Sequence, residues 1–244
     1  LTKNILISVF ISMVSLFVIA LLISFSLGKN QNFSFSKKIL FFSLAFANPF
    51  IISSYVKLGR LPEFLGFLGI LLIFSVMLKY LEKPLDKKFY ITFLPSYVLL
   101  MLSHPQMTLL GHLLILGFLI IKNNKDRIKI ILASIVGLIL SSFWLINYLK
   151  YNLLGGNLFT LDPIALQFLI FTKESLLRNI SITLVSLFLI FSFIIYYKQE
   201  KNRKILYFFS PIMILGLLVL FRLIPFIKFF NKVAPNTYSI FLLL

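Results

Sequence analysis

Arg60 and Glu63 stand three residues apart at the start of a long apolar run. Their types suit anion recognition, because a planar guanidinium can hold a phosphate through two hydrogen bonds while a nearby carboxylate orients it. Side chains that can also donate hydrogen bonds to a polar or anionic group occur in the tetrapeptide SHPQ at 103–106 and at Arg222. The candidate substrate-binding residues are Arg60, Glu63, His104, Gln106 and Arg222.

A local interpretation of Arg60 and Glu63 needs no ligand. Pro62 suits the first turn of a helix, Glu63 would be stabilised by the helix dipole, and Arg60 could extend to the lipid–water boundary. In the functional interpretation Arg60 holds a phosphate or pyrophosphate, and Glu63 fixes the geometry of the guanidinium. The residue pattern leaves both interpretations open.

The SHPQ segment also allows two interpretations. His104 could cap a turn, or His104 and Gln106 could offer hydrogen-bond donors to a polar head group. His112 lies about 80° around a helix from His104, and the chain has no third histidine, which excludes a three-His zinc site. Nucleotide-binding loops and metalloprotease or hydrolase motifs are also missing from the sequence. We therefore assign no catalytic residue, no metal ligand and no cofactor within this chain.

The elements that must position these residues are membrane helices. Of the 244 residues, 60% are apolar and 13% are charged, whereas soluble domains have about 25% charged residues. Recurrent apolar runs predict an all-α, polytopic transmembrane bundle of about eight or nine helices, forming a single domain over 1–244. We place the helices near 5–27, 39–56, 62–80, 89–103, 107–121, 128–149, 179–197 and 205–221, with a ninth starting near 233.

The net charge of +17 does not indicate nucleic-acid binding, because the lysines form short clusters between apolar runs. Alternate connections hold 15 Lys and Arg, against 9 on the opposite side. The positive-inside rule then predicts a multi-pass plasma-membrane protein whose short Lys-rich loops are cytoplasmic. Membrane lipids are the expected partners, and the candidate residues face outward.

For two segments the sequence allows more than one arrangement relative to the membrane. The outer loop 150–178 contains a short apolar stretch, 164–172, which we expect to form an interfacial or re-entrant helix. The helices on either side of SHPQ are also short, so 104–106 is either the turn of a full hairpin or the tip of a re-entrant segment. Since the chain begins at Leu1 and ends inside an apolar run of 12 residues, we expect further helices at both ends.

Three segments together resemble a known family. They read GRLPEFLGFLGILLIFSVMLKYLEK, LLMLSHPQMTLLG and LILSSFWLINYL. In this order they resemble prokaryotic, often archaeal, membrane proteins with a domain labelled "6-pyruvoyl-tetrahydropterin synthase-related". Those proteins are similar to the GT-C superfamily of multi-spanning glycosyltransferases. The resemblance covers roughly 35–155, and its matched positions are Gly59, Arg60, Pro62, Ser103, His104, Pro105, Phe143 and Trp144.

The resemblance implies a GT-C-like fold and transfer of a sugar from a polyprenyl-phosphate donor on the outer membrane face. The donor phosphate would lie near Arg60 and Arg222. Such enzymes have a catalytic Asp or Glu in the first outer loop, often with a divalent metal, and that loop would lie upstream of Leu1. A late arginine that follows a proline in the family is replaced by Asn236 in the stretch VAPNTYS.

Two other functions remain open. A transporter or a lipid-linked-oligosaccharide flippase could use the Pro-containing helices and the SHPQ hairpin as a binding site within the membrane. Against this, no acid or lysine lies in the middle of a predicted helix, where ion coupling usually requires one. The third possibility is an inactive scaffold with the same fold.

The predicted orientation can be tested by cysteine labelling, because the chain contains no native cysteine. We expect Lys125→Cys to react with an impermeant maleimide only from the cytoplasmic side, and Gly155→Cys only from outside. Labelling of both positions from the same side would contradict the topology.

Overall fold

The computed structural model describes residues 2–48, 51–57, 59–154, 173–200, 202–227, 230, 233 and 235–242. These residues form helices joined by short turns. The α-helices are α1 (Thr2–Asn30), α2 (Phe35–Phe46), α3 (Leu61–Lys79), α4 (Lys87–Ser103), α5 (Pro105–Ile121), α6 (Asn124–Leu140), α7 (Ser142–Leu154), α8 (Lys173–Glu200), α9 (Arg203–Leu220) and α10 (Pro235–Phe241). A π-helix spans Ile52–Lys57, and a 3-10 helix spans Ile224–Phe226.

The central helix is α3, which packs against α1, α4 and α5. Most of its side chains are buried, including Phe64 and Phe67, which are fully enclosed. The ring of Phe64 contacts Phe17 of α1 at 4.9 Å and Tyr55 of the π-helix at 4.5 Å between centroids. Aromatic contacts therefore anchor the N-terminal elements to the first turns of α3.

Glycines set the register of the central helices. A Cβ added to Gly66 would lie 2.8 Å from Met107, and one added to Gly69 would lie 3.1 Å from the backbone of Leu100. Because Gly66 also lies beside Ser103 while Tyr80 contacts Phe89, α4 is antiparallel to α3, and because Gly111 lies beside Ile70, α5 is parallel to α3. Small residues that allow close backbone approach are typical of helix packing in membranes.

Several helices have the length and apolar character of membrane spans. Among the described residues these are Ile7–Asn30, Leu61–Lys79 and Arg203–Leu220, with the bent pair Asn124–Leu140 and Ser142–Lys150 as a fourth if it forms one span. At 1.5 Å per residue, the 19 residues of α3 extend about 28 Å, close to the hydrocarbon thickness of a bilayer.

The outer surface of the bundle is apolar. Four large side chains on different helices are between 61% and 71% exposed: Leu22, Ile91, Ile139 and Phe188. Such surfaces are stable in lipid and would be unfavourable in water. The described chain therefore has the architecture of an all-helical membrane protein.

The helix predicted over 39–56 is broken in the structure. Helix α2 ends at Phe46, and the π-helix begins at Ile52. The side chain of Asn48 donates to the Leu44 carbonyl at 2.7 Å and accepts from the Ile51 N–H at 3.0 Å. Because this side chain replaces backbone partners on both sides of the break, the chain can turn without leaving those groups unsatisfied.

The helix predicted over 128–149 also has a break, where α6 and α7 meet at an angle of 73°. The hydroxyl of Ser141 donates to the Gly137 carbonyl at 2.9 Å. Glycine and serine pairs are a recognised cause of helix kinks. Most of the predicted outer loop 150–178, including the short helix at 164–172, lies outside the described residues.

The turn at His104 lies level with the beginning of α3. At this end Gly66 packs against Ser103, and at the other end of α3 the ring of Tyr80 contacts Phe89 at 5.3 Å. Helix α4 therefore runs along the whole of α3 before α5 returns beside it. His104 therefore lies at the tip of a helical hairpin, which fits both a full crossing and a re-entrant segment.

The contact between α5 and α9 provides a test of packing. A Cβ on Gly117 would overlap the carbonyl oxygen of Phe208, whereas one on Gly216 would lie 3.2 Å from the flexible end of Leu189. We expect Gly117→Ala to destabilise the protein by about 1–3 kcal/mol, because the overlapped atom is backbone. Gly216→Ala should be neutral or mildly stabilising, since alanine favours helix. Thermal unfolding in detergent measures both effects, and equal midpoints for the two variants would contradict this register.

Candidate functional site

The backbone before α3 positions the first two candidate residues. Gly59 adopts φ 64°, a left-handed conformation that glycine enters without strain, and Arg60 then occupies the N-cap position. Pro62 lies in the first turn, where its missing N–H is of no consequence. Arg60 and Glu63 consequently project from one turn at the end of the bundle.

Glu63 is buried, with only 3% of its side chain exposed. Its Oε2 lies 3.4 Å from Nη1 of Arg60, whose side chain is 38% exposed. A buried carboxylate requires compensation of its charge, and Arg60 supplies part of it. The rest of the guanidinium lies toward the surface, where it could contact a ligand.

The second partner of Glu63 comes from α10. The hydroxyl of Thr237 donates to Oε1 of Glu63 at 2.5 Å. The hydroxyl oxygen of Thr237 also lies 3.3 Å from Oε1 of Gln106. The hydroxyl of Thr237 can donate only one hydrogen bond, and the shorter distance indicates that Glu63 is the acceptor. With its amide oriented the other way, Gln106 would donate to Thr237. The structure thus joins the starts of α3, α5 and α10 through three side chains.

His104 connects α4 to α5 in extended backbone, with φ −153° and ψ 123°. Its Nδ1 is buried and has no hydrogen-bond partner among the described residues. Burial lowers the pKa of His104 below its ordinary value, the negative charge of Glu63 opposes this shift, and Arg60 adds to it. The ring is therefore neutral at pH 7, with one nitrogen able to donate and the other able to accept.

Tyr55 adds a second buried polar group that lacks a partner. Its ring stacks on Phe64 with an interplanar angle of 6°, and its hydroxyl makes no hydrogen bond within the described part of the chain. Both Arg60 and Glu63 act on it electrostatically. We name the group formed by Tyr55, Arg60, Glu63, His104, Gln106 and Thr237 the Glu63 cluster.

Arg222 lies at the same end of the bundle. Gly117 near the end of α5 meets Phe208 near the start of α9, so these helices are antiparallel, and α9 ends near the start of α5. Arg222 follows α9 with φ 56°, the left-handed conformation that commonly terminates a helix. The backbone of Arg222 ends α9. Its position at the same end of the bundle as the Glu63 cluster is inferred from the antiparallel packing of α5 and α9.

The cluster is suited to binding a polar or anionic group. It offers one partly exposed guanidinium and two buried polar atoms with unused bonding capacity, at His104 and Tyr55. Metal binding is less suited to it, because nowhere in the described ranges do three His, Asp or Glu side chains meet closely enough to hold an ion.

Thr237 and Tyr55 were not predicted from the sequence. In the segment VAPNTYS the family resemblance singles out Asn236, whereas the contact with Glu63 comes from the next residue. Thr237 lies 174 positions from Glu63, so no local spacing could indicate the pair. The only available signal was Pro235, which marks a helix start near the predicted outer end of the bundle.

Comparisons of the chain with models of protein families, with curated proteins and with solved structures give no match. The fold and the cluster define a class, which is an all-helical membrane protein with a polar, partly charged site at one end of the bundle. Any particular function must be argued from the geometry of that site and from the sequence resemblance.

The bond between Thr237 and Glu63 can be tested by Thr237→Val, which keeps the shape of the side chain. We expect a loss of about 1–3 kcal/mol in unfolding free energy, because the buried carboxylate loses a donor. The matched control is Thr92→Val, since the hydroxyl of Thr92 bonds only carbonyls of its own helix at the surface.

In a Glu63→Gln background the cost of Thr237→Val should shrink, because the charge that needs the donor is gone. Chemical or thermal unfolding of the four variants completes the cycle. If Thr237→Val were as mild as Thr92→Val, the bond would not contribute to stability.

Proposed function

We propose that the chain is part of a glycosyltransferase that takes a sugar from a polyprenyl-phosphate donor at the membrane surface. The observation that carries the proposal is the position of Arg60, which lies at the lip of the Glu63 cluster with 38% of its side chain exposed. The family resemblance supplies the donor class, and the cluster supplies a site with suitable chemistry.

The roles of individual residues follow from their contacts. Glu63 holds one arm of the Arg60 guanidinium, which leaves the other nitrogens to bind a phosphate in a fixed orientation. His104, which interacts electrostatically with Arg60, and Gln106, which contacts Thr237, would offer polar groups to the sugar–phosphate linkage. Arg222, at the same end, is a second cation for a pyrophosphate or a charged sugar.

The membrane arrangement belongs to the same proposal. In a GT-C-like bundle the shorter helices α4 and α5 would also cross the bilayer, giving eight or nine spans in this chain. The Glu63 cluster would face the outside of the plasma membrane, and the Lys-rich turns would face the cytoplasm. The resemblance implies that the catalytic carboxylate, with a divalent metal if one is used, belongs to the first outer loop of such enzymes.

A transporter or flippase is the second candidate, and one observation favours it. Glu63 is a buried acid in the electrostatic range of His104, a half-buried histidine whose Nδ1 is enclosed. Ionisable groups within membrane segments often form proton relays. This function would require transport of the polyprenyl-linked substrate without its cleavage. An inactive scaffold would bind the substrate but would neither transport nor cleave it.

The test uses Arg60→Lys in the full-length protein, with Arg203→Lys as the matched control. Arg203 is exposed at the opposite end of the bundle, at the start of α9. We expect Arg60→Lys to weaken binding of a short-chain polyprenyl-phosphate sugar by about tenfold or more, because an ammonium cannot form the bidentate contact. Arg203→Lys should bind as the wild type does, and both should keep the wild-type unfolding midpoint.

Unchanged binding in Arg60→Lys would show that the arginine only extends to the interface. Lack of binding to the wild-type protein itself would exclude the donor class. Reconstitution in vesicles then separates the two candidate functions, since release of polyprenyl phosphate indicates transfer, and movement of intact substrate across the bilayer indicates transport.

A further inference from the structure

A polar cavity lies at the opposite end of the bundle from the Glu63 cluster. Its volume is about 340 Å³, and it lies between the turn after α3, the turn between α5 and α6, and the first turn of α9. Its lining residues are Leu81, Glu82, Lys83, Pro84, Ile121, Lys122, Asn123, Asp126 and Lys204. The lining thus includes three lysines and two acids.

Lys122 is buried beside this cavity, with only 7% of its surface exposed. Its ammonium donates to the carbonyls of Tyr80 at 2.5 Å, Leu81 at 3.3 Å and Lys83 at 2.8 Å. These bonds use all three of its protons and hold the turn after α3 in place. They do not neutralise its charge, since within the described residues no carboxylate lies within ion-pair distance of it.

The two acids of the lining do not cancel the lysines. Asn123 is the N-cap of α6 and its side chain accepts from the Asp126 N–H at 2.8 Å, whereas the carboxylate of Asp126 lies 3.9 Å from the Lys129 ammonium. Glu82 is exposed to solvent, where water and salt screen its negative charge. A cation is therefore a poor occupant of a cavity with three ammonium groups.

Lys122 and Lys204 act on each other across the cavity. Burial lowers the pKa of Lys122, the negative charge of Asp126 opposes this shift, and the positive charge of Lys204 adds to it. Like charges that converge on one cavity are stabilised by an anion between them. The N-terminal turns of α6 and α9, capped by Asn123 and Asn202, place further positive potential at the same opening.

We propose that this cavity binds a phosphate-bearing anion, either the head group of an anionic membrane lipid or a free phosphate. Lys83 and Lys204 contact the phosphate oxygens from the rim, and Lys122 supplies a buried positive charge behind them. The site is separate from the Glu63 cluster and does not depend on glycosyl transfer.

The experiment measures the unfolding midpoint of the full-length protein in neutral detergent while a ligand is titrated at constant ionic strength. The ligands are short-chain phosphatidylglycerol, short-chain phosphatidylcholine and inorganic phosphate. A ligand that binds only the folded state raises the midpoint in proportion to its occupancy. We expect phosphatidylglycerol to stabilise the protein and zwitterionic phosphatidylcholine to have little effect.

The test variant is Lys83→Gln with Lys204→Gln, which removes the rim charges and keeps Lys122 as a support of the turn. We expect the concentration of phosphatidylglycerol needed for half of the stabilisation to rise about tenfold or more, given the usual contribution of each lysine to anionic-lipid binding. Lys83→Arg with Lys204→Arg should retain the response.

The matched control is Lys87→Gln with Lys125→Gln, which removes the same charge from exposed lysines at this end that do not line the cavity. This control should respond as the wild type does. Stabilisation by inorganic phosphate at similar occupancy, again lost in the test variant, would identify the ligand as a free anion. A test variant that responds like its control, or a wild type that responds to neither anion, would overturn the proposal.

Discussion

The need to compensate the buried carboxylate of Glu63 determines how one end of this bundle is assembled. An isolated charge in an apolar interior is very unfavourable, and removal of one partner from a buried pair typically costs about 3–5 kcal/mol. Arg60 forms an ion pair with the carboxylate from the same helix turn, and Thr237 donates a hydrogen bond to it from α10, 174 positions away. The contacts that form the polar site are consequently the same contacts that join α10 to α3 at this end of the bundle.

The opposite end uses a buried cation to the same structural effect. Carbonyls at a helix C-terminus and in the turn that follows it lack intrahelical partners and are costly to leave unsatisfied in lipid or in the protein interior. Lys122 satisfies those of Tyr80, Leu81 and Lys83, so the turn after α3 is bound to the end of α5. A lysine that the charge pattern indicates only as a topology signal is therefore also a structural residue.

Hydropathy was enough to predict the order of the helices and most of their limits, because each apolar run is bounded by charged or turn-forming residues. It could not predict the breaks at Asn48 and Ser141, which depend on side chains bonding their own backbone inside apolar runs. Spacing was enough to predict Arg60 and Glu63 as a pair. Thr237 was beyond reach, because a contact between distant segments leaves no periodicity in the sequence.

The Glu63 cluster also bears on the two interpretations of Arg60. Extension of an arginine toward water requires nothing behind it, and a lone surface pair contributes little to stability. Here the arginine lies within electrostatic range of two side chains that have a buried polar atom with no partner in the described structure, Nδ1 of His104 and the hydroxyl of Tyr55. Since buried polar groups are normally satisfied, their convergence on one charged pair favours a site that receives a polar guest, a water or a ligand group. Snorkelling accounts for the position of Arg60 alone, whereas binding accounts for its neighbours as well.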